Sequence, residues 1–254
     1  MLLLVLILPA LFAQDLTQYE KKYFVVGKDS LPYRLLLPVN YDATKKYPLV
    51  YFLHGAGERG NDNEKQLVHG GKLFLKEAIR RDYPAIVVFP QCPQNSFWSN
   101  VAFNLEDGKR QFDFPVGGTP TPAMVLAQEL LKEVLSGYPI EKKQVYIGGL
   151  SMGGMGTFEL VRRSPGVFAA AIPICGGANP AIAPGLKKTN WWIFHGAKDD
   201  VVPPALSQQM YDALTRVKAK ADLTIYPEAN HNSWDAAFAE PELLPWLFAQ
   251  KRKR

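Results

Sequence analysis

Short apolar runs alternate with amphipathic stretches along most of the chain. Residues 47–53 and 85–90 are apolar throughout, which is typical of strands buried on both faces of a parallel sheet. Further runs predict strands at 23–26, 33–37, 145–149, 169–174, 191–194 and 223–226, and helices at 72–82, from 122, after 151, at 204–217 and within 233–250. The alternation predicts an α/β fold with a mainly parallel central sheet flanked by helices.

The strand at 145–149 runs directly into a serine between glycines. Gly149, Ser151 and Gly153 form the pattern Gly-x-Ser-x-Gly, in which the serine sits on a strained turn from a strand to a helix. Side chains two residues to either side would collide with neighbouring backbone, which explains the glycines. A glycine-rich turn that matches by chance is the alternative. We predict that Ser151 is a nucleophile.

A nucleophilic serine needs a histidine base, and after a turn of this type an acid and then the histidine follow in the chain. Of the four histidines, His54 and His69 precede Ser151. His195 ends a strand and is followed by glycine, which suits a structural histidine. His231 lies in a polar loop after the last strand, and we predict that it is the base.

The acid is expected on a loop between Ser151 and His231. Asp199 and Asp200 come shortly after the strand at 191–194 and fit that position. Adjacent residues that leave a strand point in different directions, so only one of the two can reach the histidine. Position alone leaves both as candidates.

Two backbone amides are needed to hold the oxyanion that forms when a serine attacks a carbonyl. The amide of Met152, at the start of the helix after the serine, is one predicted donor. The loop His54-Gly55-Ala56-Gly57 follows the strand at 47–53, and we assign the second donor to Ala56. A tight glycine turn without a ligand is the alternative for that loop.

Charge and composition add little to this picture. The net charge is +5, but without the basic tail at 251–254 the chain has 25 basic and 24 acidic residues. No clustered basic face is visible, so we expect no nucleic-acid partner and interpret the tail as a solvated terminus. Four histidines without a Cys/His cluster make a metal site unexpected.

Residues 1–13 are almost entirely apolar, too few to span a bilayer, and match the core of a secretory signal peptide. Cleavage after Ala13 fits, although the basic residues that normally precede such a core are missing. Pro9 argues against the alternative, a buried N-terminal strand. We therefore expect a secreted or periplasmic protein without stable membrane insertion.

Taken together, these residues resemble α/β-hydrolase serine esterases, in particular the secreted single-domain group that contains feruloyl and acetyl-xylan esterases. Related members are labelled dienelactone-hydrolase-like, or "predicted peptidases". The motifs that match are 53–60, 90–93 with Trp98, 149–156, 195–203, and His231 with Trp234. The resemblance extends over residues 19–250, which we take as the catalytic domain. Asn230 stands where such proteins commonly have glycine.

The resemblance implies acyl transfer through an acyl-enzyme, without metal or cofactor. Its spacing His-Gly-x-x-Asp-x-x-Val-Pro places the acid at Asp199. The implied substrates are feruloyl or acetyl esters of plant polysaccharide, or similar small esters. A serine peptidase of the same fold is one alternative, and a non-catalytic carbohydrate-binding or interaction protein derived from a hydrolase is another.

The segment at 91–121 has no clear periodicity but is rich in aromatic residues, so we expect it to be functional rather than disordered. Within it, Trp98 follows the family-like Pro-Gln-Cys-Pro motif and is flanked by Ser96, Ser99 and Asn100. This mixture predicts a cleft wall that stacks on a sugar or an aromatic acyl group.

Cys92 and Cys175 each follow a predicted core strand. In the strand order of an α/β-hydrolase, two other strands lie between those two. Three inter-strand steps amount to roughly 14 Å, whereas a disulfide needs Cα atoms within about 7 Å. We therefore expect both thiols to be free.

Overall fold

The structure is a computed structural model that describes residues 15–106 and 109–252. The predicted signal peptide and the last two residues of the basic tail lie outside the described residues. Its strands are β1 (Glu20–Val26), β2 (Asp29–Leu36), β3 (Tyr47–Leu53), β4 (Ile86–Pro90), β5 (Ala102–Glu106), β6 (Lys109–Asp113), β7 (Ile140–Leu150), β8 (Ala170–Ile174), β9 (Asn190–Gly196) and β10 (Ala221–Tyr226). Its α-helices are α1 (Glu77–Asp82), α2 (Pro122–Gly137), α3 (Met152–Arg163), α4 (Ala183–Leu186), α5 (Pro204–Arg216), α6 (Trp234–Ala239) and α7 (Leu243–Ala249).

Eight of the described strands form one sheet in the order β1-β2-β4-β3-β7-β8-β9-β10. The pairs from β4 to β10 are parallel, whereas β1 and β2 pair antiparallel with each other and β2 is antiparallel to β4. The prediction of a mainly parallel central sheet flanked by helices is confirmed. Because parallel strands end at the same edge, the loops after β3, β7, β9 and β10 converge there.

Strand β3 shows how the sheet divides the core. Leu49, Tyr51 and Leu53 belong to the apolar cluster shared with α2, α3 and α5, whereas Val50 and Phe52 belong to the cluster shared with α6 and α7. Alternate side chains of a strand point to opposite faces. A strand covered on both faces is therefore apolar at every position, which is the pattern that predicted β3.

Helix α2 begins where the sequence predicts. The Thr121 hydroxyl accepts a hydrogen bond from the Met124 amide (3.1 Å), and Pro122 occupies the first turn, where its missing N–H is not needed. Two other predicted helices are divided. The one at 72–82 becomes the 3₁₀ turn Leu73–Leu75 followed by α1, and the one within 233–250 becomes α6 and α7, with Pro241 between them.

The aperiodic segment at 91–121 contains the hairpin formed by β5 and β6, which make a separate two-stranded sheet. Phe103 on β5 lies opposite Phe112 on β6, with ring centroids 6.0 Å apart. Every residue of β5 is exposed. Strand β5 therefore has no alternation of buried and exposed positions.

The basic tail was expected to be solvated, but the part of it that the structure describes is only partly exposed. Lys251 is exposed, but Arg252 is half-buried and its backbone N–H donates to the Lys143 carbonyl (2.9 Å). Of the helices within 15–106 and 109–252, none combines the length and apolar character that crossing a bilayer requires.

The two cysteines lie at the ends of strands separated by two others, as expected. Cys92 follows β4 and Cys175 follows β8, with β3 and β7 between these strands. Both thiols are free and buried, which confirms the prediction. Burial raises the pKa of the Cys92 thiol to about 12, and burial together with the Asp199 carboxylate raises the pKa of Cys175 still further.

We therefore expect two free thiols per chain when the protein is denatured without reductant and titrated with Ellman's reagent. The folded protein should react slowly, because neither buried thiol ionises readily. Fewer than two thiols in the denatured, unreduced sample would contradict this expectation.

Candidate active site

Ser151 forms the turn between β7 and α3, with φ +54° and ψ −117°. Such a conformation costs a residue other than glycine about 1–3 kcal/mol. A Cβ atom on Gly153 would lie 1.9 Å from the Leu53 carbonyl oxygen, and one on Gly149 would lie 2.3 Å from the Gly153 carbonyl oxygen. Close backbone approach on both sides therefore requires glycine, and it fixes the serine at the edge of the sheet.

The side chains of Ser151, His231 and Asp199 form one hydrogen-bonded chain. Ser151 Oγ lies 3.0 Å from His231 Nε2, and His231 Nδ1 lies 2.8 Å from Asp199 Oδ2. An ionised carboxylate can only accept, so Nδ1 carries the ring proton and Nε2 is free to accept the proton of the serine hydroxyl. The structure thus brings together the three residues that the sequence selected, from the loops after β7, β9 and β10.

Asp199 is buried and held by several donors. Its Oδ1 accepts from the backbone amides of Val201 and Val202 (both 2.9 Å), and its Oδ2 also lies 3.1 Å from His195 Nε2. Burial opposes ionisation, but the hydrogen bonds from His195, His231 and the Val202 amide outweigh it and lower the pKa of the carboxyl below its ordinary value. The carboxylate therefore stays charged beside the imidazole.

Asp200 is exposed, and the carboxylate that pairs with the imidazole is that of Asp199. The Asp200 amide donates to Asn230 Oδ1 (3.3 Å), which also accepts from the His231 amide (2.8 Å). Asn230 thus helps to fix the loop that carries the imidazole.

His195 has the structural role that the sequence suggested. It is fully buried, and its Nδ1 lies 2.7 Å from the Ser207 hydroxyl. Its Nε2 faces two oxygens, Asp199 Oδ2 and the Val202 carbonyl (2.9 Å), so it carries a proton and donates. The ring therefore clamps the loop on which Asp199 lies.

The two predicted oxyanion donors are the first residues of helices. Met152 begins α3, and Ala56 begins the 3₁₀ helix Ala56–Glu58 directly after β3. The first amides of a helix have no acceptor within that helix, so both N–H groups are available for an external oxygen. At Met152 the positive end of the α3 dipole adds a favourable field for an anion.

His54 holds the loop that carries Ala56. Its Nε2 accepts from the Cys92 amide (2.9 Å), so Nδ1 carries the proton and donates to the Gly55 carbonyl (2.6 Å). Burial lowers the pKa of His54 to about 4, which keeps the ring neutral and this pattern of donor and acceptor intact near neutral pH.

The prediction that Trp98 forms a wall of the substrate cleft is wrong. Its side chain is 0% exposed, so no ligand can stack on it. The indole N–H donates to the His54 carbonyl (3.2 Å), and the ring packs edge-on against the His54 imidazole. The tryptophan packs in the core and braces the loop at Ala56. Its polar neighbours in sequence face elsewhere and gave a misleading signal.

The segment at 91–121 nevertheless borders an open groove of about 720 Å³. Phe97 lines it, together with Ser99, Asn100 and the residues Ala102 and Asp113 at the open end of the hairpin. Phe97 is also covered by the Arg59 guanidinium, 4.7 Å from the ring centroid, and Arg59 Nε donates to the Ala56 carbonyl (3.0 Å). The groove is therefore connected to the loop at Ala56 through one arginine.

Among the described residues, one set of side chains has its potential metal ligands close together, namely Cys175, Asp199 and His231, within 4.8 Å of one another. Two of these atoms already share a hydrogen bond, His231 Nδ1 and Asp199 Oδ2. A thiol binds metal as its thiolate, and the raised pKa of Cys175 opposes that form. The donor chemistry suits a proton-transfer site better than a metal site.

A mainly parallel sheet with helices on both faces, and a serine on a strained turn that pairs with a histidine which in turn pairs with an aspartate, define the class of α/β-hydrolases. Residues 28–226 match the model of the family described as "Putative esterase". The match covers most of the chain, and the protein belongs to this esterase family.

The chain is also similar to individual proteins. A solved structure of a thermostable esterase superposes with a TM-score of 0.83 at 34% identity, over 93% of this chain and 64% of the esterase chain. Lysophospholipase-like protein 1 of Mus musculus is 27% identical over 71% of this chain and 78% of its own length. "Probable feruloyl esterase C" of Aspergillus oryzae is 27% identical over 67% of this chain and 56% of its own length. The matched stretch thus spans less than two thirds of the thermostable and Aspergillus chains.

Three side chains beside the hydrogen-bonded chain were not assigned a role from the sequence. The Trp234 ring packs edge-on against the His231 ring, with ring centroids 5.4 Å apart. The Trp234 ring also packs against the His69 ring, with centroids 4.9 Å apart. Glu58 Oε1 lies 3.8 Å from His69 Nε2. Glu58 and Trp234 both lie in motifs that carry the family resemblance, but His69 has no signal of its own.

If Asp199 orients the imidazole, Asp199→Asn should lower kcat by about 10⁴, because the amide would favour the wrong tautomer. Asp200→Asn is the matched control and should change kcat little, because Asp200 is exposed and does not reach the ring. Hydrolysis of p-nitrophenyl acetate measures both. A larger loss in Asp200→Asn would contradict the assignment.

If Trp98 braces the loop at Ala56, Trp98→Phe should lower kcat by a similar factor for methyl ferulate and p-nitrophenyl acetate. The phenyl ring keeps most of the packing but loses the hydrogen bond to His54, which costs about 0.5–1.5 kcal/mol of the free energy of unfolding. Steady-state kinetics and urea unfolding measure the two effects. A rise in KM confined to methyl ferulate would instead favour a role in substrate contact.

Proposed function

We propose that the protein is a serine esterase that hydrolyses carboxylic esters through an acyl-enzyme. Membership of the esterase family supports ester hydrolysis. The observation that carries the serine mechanism is the continuous hydrogen-bonded chain from Ser151 through His231 to Asp199, at 3.0 and 2.8 Å. The free amides of Ala56 and Met152 support an oxyanion hole in the same place.

In the proposed mechanism, His231 Nε2 takes the proton of the Ser151 hydroxyl as Oγ attacks the ester carbonyl. The amides of Ala56 and Met152 stabilise the oxyanion of the tetrahedral intermediate. His231 then gives its proton to the leaving alcohol, and the acyl group remains on Ser151. Water enters, loses a proton to His231 and attacks the acyl carbon, and the returning proton restores the serine hydroxyl.

Asp199 supports each proton transfer without changing its own protonation. A positive imidazolium forms twice in the cycle, and the buried carboxylate 2.8 Å from Nδ1 stabilises it each time. The low pKa of the Asp199 carboxyl keeps the Nδ1 proton on the ring throughout the cycle, while the Nε2 proton passes to the alcohol or the serine.

For the substrate, we propose feruloyl or acetyl esters of plant polysaccharide, or similar small esters. Trp98 does not support this choice, because its side chain is buried. Its support is the similarity to a protein named as a feruloyl esterase, and an open groove lined by Phe97, which could hold an aromatic acyl group. We also propose that the enzyme acts outside the cytoplasm, on the strength of the apolar run at residues 1–13.

Ser151→Ala should lower kcat for p-nitrophenyl acetate by about 10⁴–10⁶, because the nucleophile is lost and only the oxyanion hole and binding remain. A fluorophosphonate probe should label the wild type and not the variant. The exposed Ser136 on α2 offers a matched control, since Ser136→Ala should keep both activity and labelling. Activity of Ser151→Ala within tenfold of the wild type would refute the proposed nucleophile.

A further inference from the structure

Among the four histidines, His69 is the one whose ring nitrogens make no hydrogen bond within the described residues. His54 and His195 are buried, with both nitrogens bonded, and His231 contacts Ser151 and Asp199. The His69 side chain is 31% exposed. Its imidazole therefore has spare capacity to donate and accept hydrogen bonds at the surface of the site.

The loop at His69 is fixed in position against α6. Gly70 has φ +88°, and a Cβ atom there would lie 3.1 Å from the Phe238 ring on α6. The next carbonyl, of Gly71, accepts a hydrogen bond from the Tyr19 hydroxyl (2.8 Å). These contacts hold the imidazole against Trp234, one turn before Phe238 on the same helix. The arrangement is built into the fold rather than a chance contact of two surface rings.

Glu58 is the third member of the group that His69 and Trp234 form, and it lies beside His69. It ends the 3₁₀ helix that Ala56 begins, and its side chain is only 14% exposed. Its carboxylate lies back against the loop, since a Cβ atom on Gly55 would lie 2.9 Å from Glu58 Oε2. At 3.8 Å from His69 Nε2, the carboxylate is too far for a normal hydrogen bond, and both its oxygens can accept others.

The position of Trp234 relates this group to one part of an ester. In acyl transfer the histidine gives its proton to the leaving alcohol, so the alcohol oxygen must come within hydrogen-bond distance of His231 Nε2. The rest of the alcohol then extends over side chains around His231. Trp234 packs directly on that ring, and His69 and Glu58 continue outward from the indole.

We propose that Glu58, His69 and Trp234 form a subsite for the leaving alcohol, and that this alcohol carries several hydroxyl groups, as a sugar ring does. The proposal rests on the proposed function, because it needs His231 as the proton donor. The carboxylate accepts hydrogen bonds from neighbouring hydroxyls, and the imidazole exchanges one more. The half-buried indole offers an apolar face to the C–H side of the sugar ring, and its N–H makes no hydrogen bond within the part of the chain that the structure describes.

The kinetic test compares two acetate esters whose alcohols have similar size. Methyl xylopyranoside monoacetate has free hydroxyls on a six-membered ring, and cyclohexyl acetate has none. In Glu58→Gln and in His69→Gln, the ratio of kcat/KM for the sugar ester to that for cyclohexyl acetate should fall about tenfold, mainly through KM. A tenfold fall corresponds to about 1.4 kcal/mol, which is the size of one lost hydrogen bond. Glu77→Gln, at an exposed position on α1, is the matched control and should keep the ratio of the wild type.

A second readout does not depend on catalysis. NMR titration with methyl xylopyranoside should give the same Kd for the wild type and Ser151→Ala, and a Kd about tenfold higher for Glu58→Gln and His69→Gln. Equal sugar binding in all four proteins, or a ratio of rates that changes less than twofold, would overturn the subsite. Full esterase activity in Ser151→Ala would instead overturn the proposed function, so the two failures are distinguishable.

Discussion

The structure depends on the close approach of three backbone segments around Ser151. The serine takes a strained positive φ, and it can do so because β7 and α3 are locked between β3 and β8. The Ser151 amide donates to the Ile174 carbonyl at the end of β8 (2.9 Å), and Gly153 lies against the Leu53 carbonyl at the end of β3. The surrounding sheet supplies the free energy that offsets the local strain.

Two buried histidines extend this rigidity to the loops on either side. His54 ties the loop after β3 to the backbone at Cys92, and His195 ties the loop after β9 to Ser207 and Val202. Both rings are buried in the protein interior. A hydrogen bond is stronger there than in water, and an unpaired polar group is costly. The proposed catalytic groups thus lie on loops, but buried hydrogen bonds anchor these loops.

Much of the fold was predictable from the sequence, because strands buried on both faces must be apolar at every position. The hydrogen-bonded chain was predictable too, since Ser151 and His231 follow strands in the order that the turn demands. Strand order left Asp199 and Asp200 open, and the family resemblance selected Asp199. The β5–β6 hairpin was not predicted, because β5 is exposed at every position and has no buried face to mark it. Trp98 was misassigned because its polar neighbours say nothing about where the ring itself points, and burial depends on packing between distant segments.

The contact between Gly153 and the Leu53 carbonyl has a consequence for how such an enzyme can diversify. It joins the start of α3 to the end of β3, so the proposed nucleophile and both proposed oxyanion donors belong to one inflexible unit. A substitution within that unit disturbs all of these groups together. We therefore expect mutational tolerance at the periphery, for example in the fully exposed strand β5, where side chains can change without moving the backbone around Ser151.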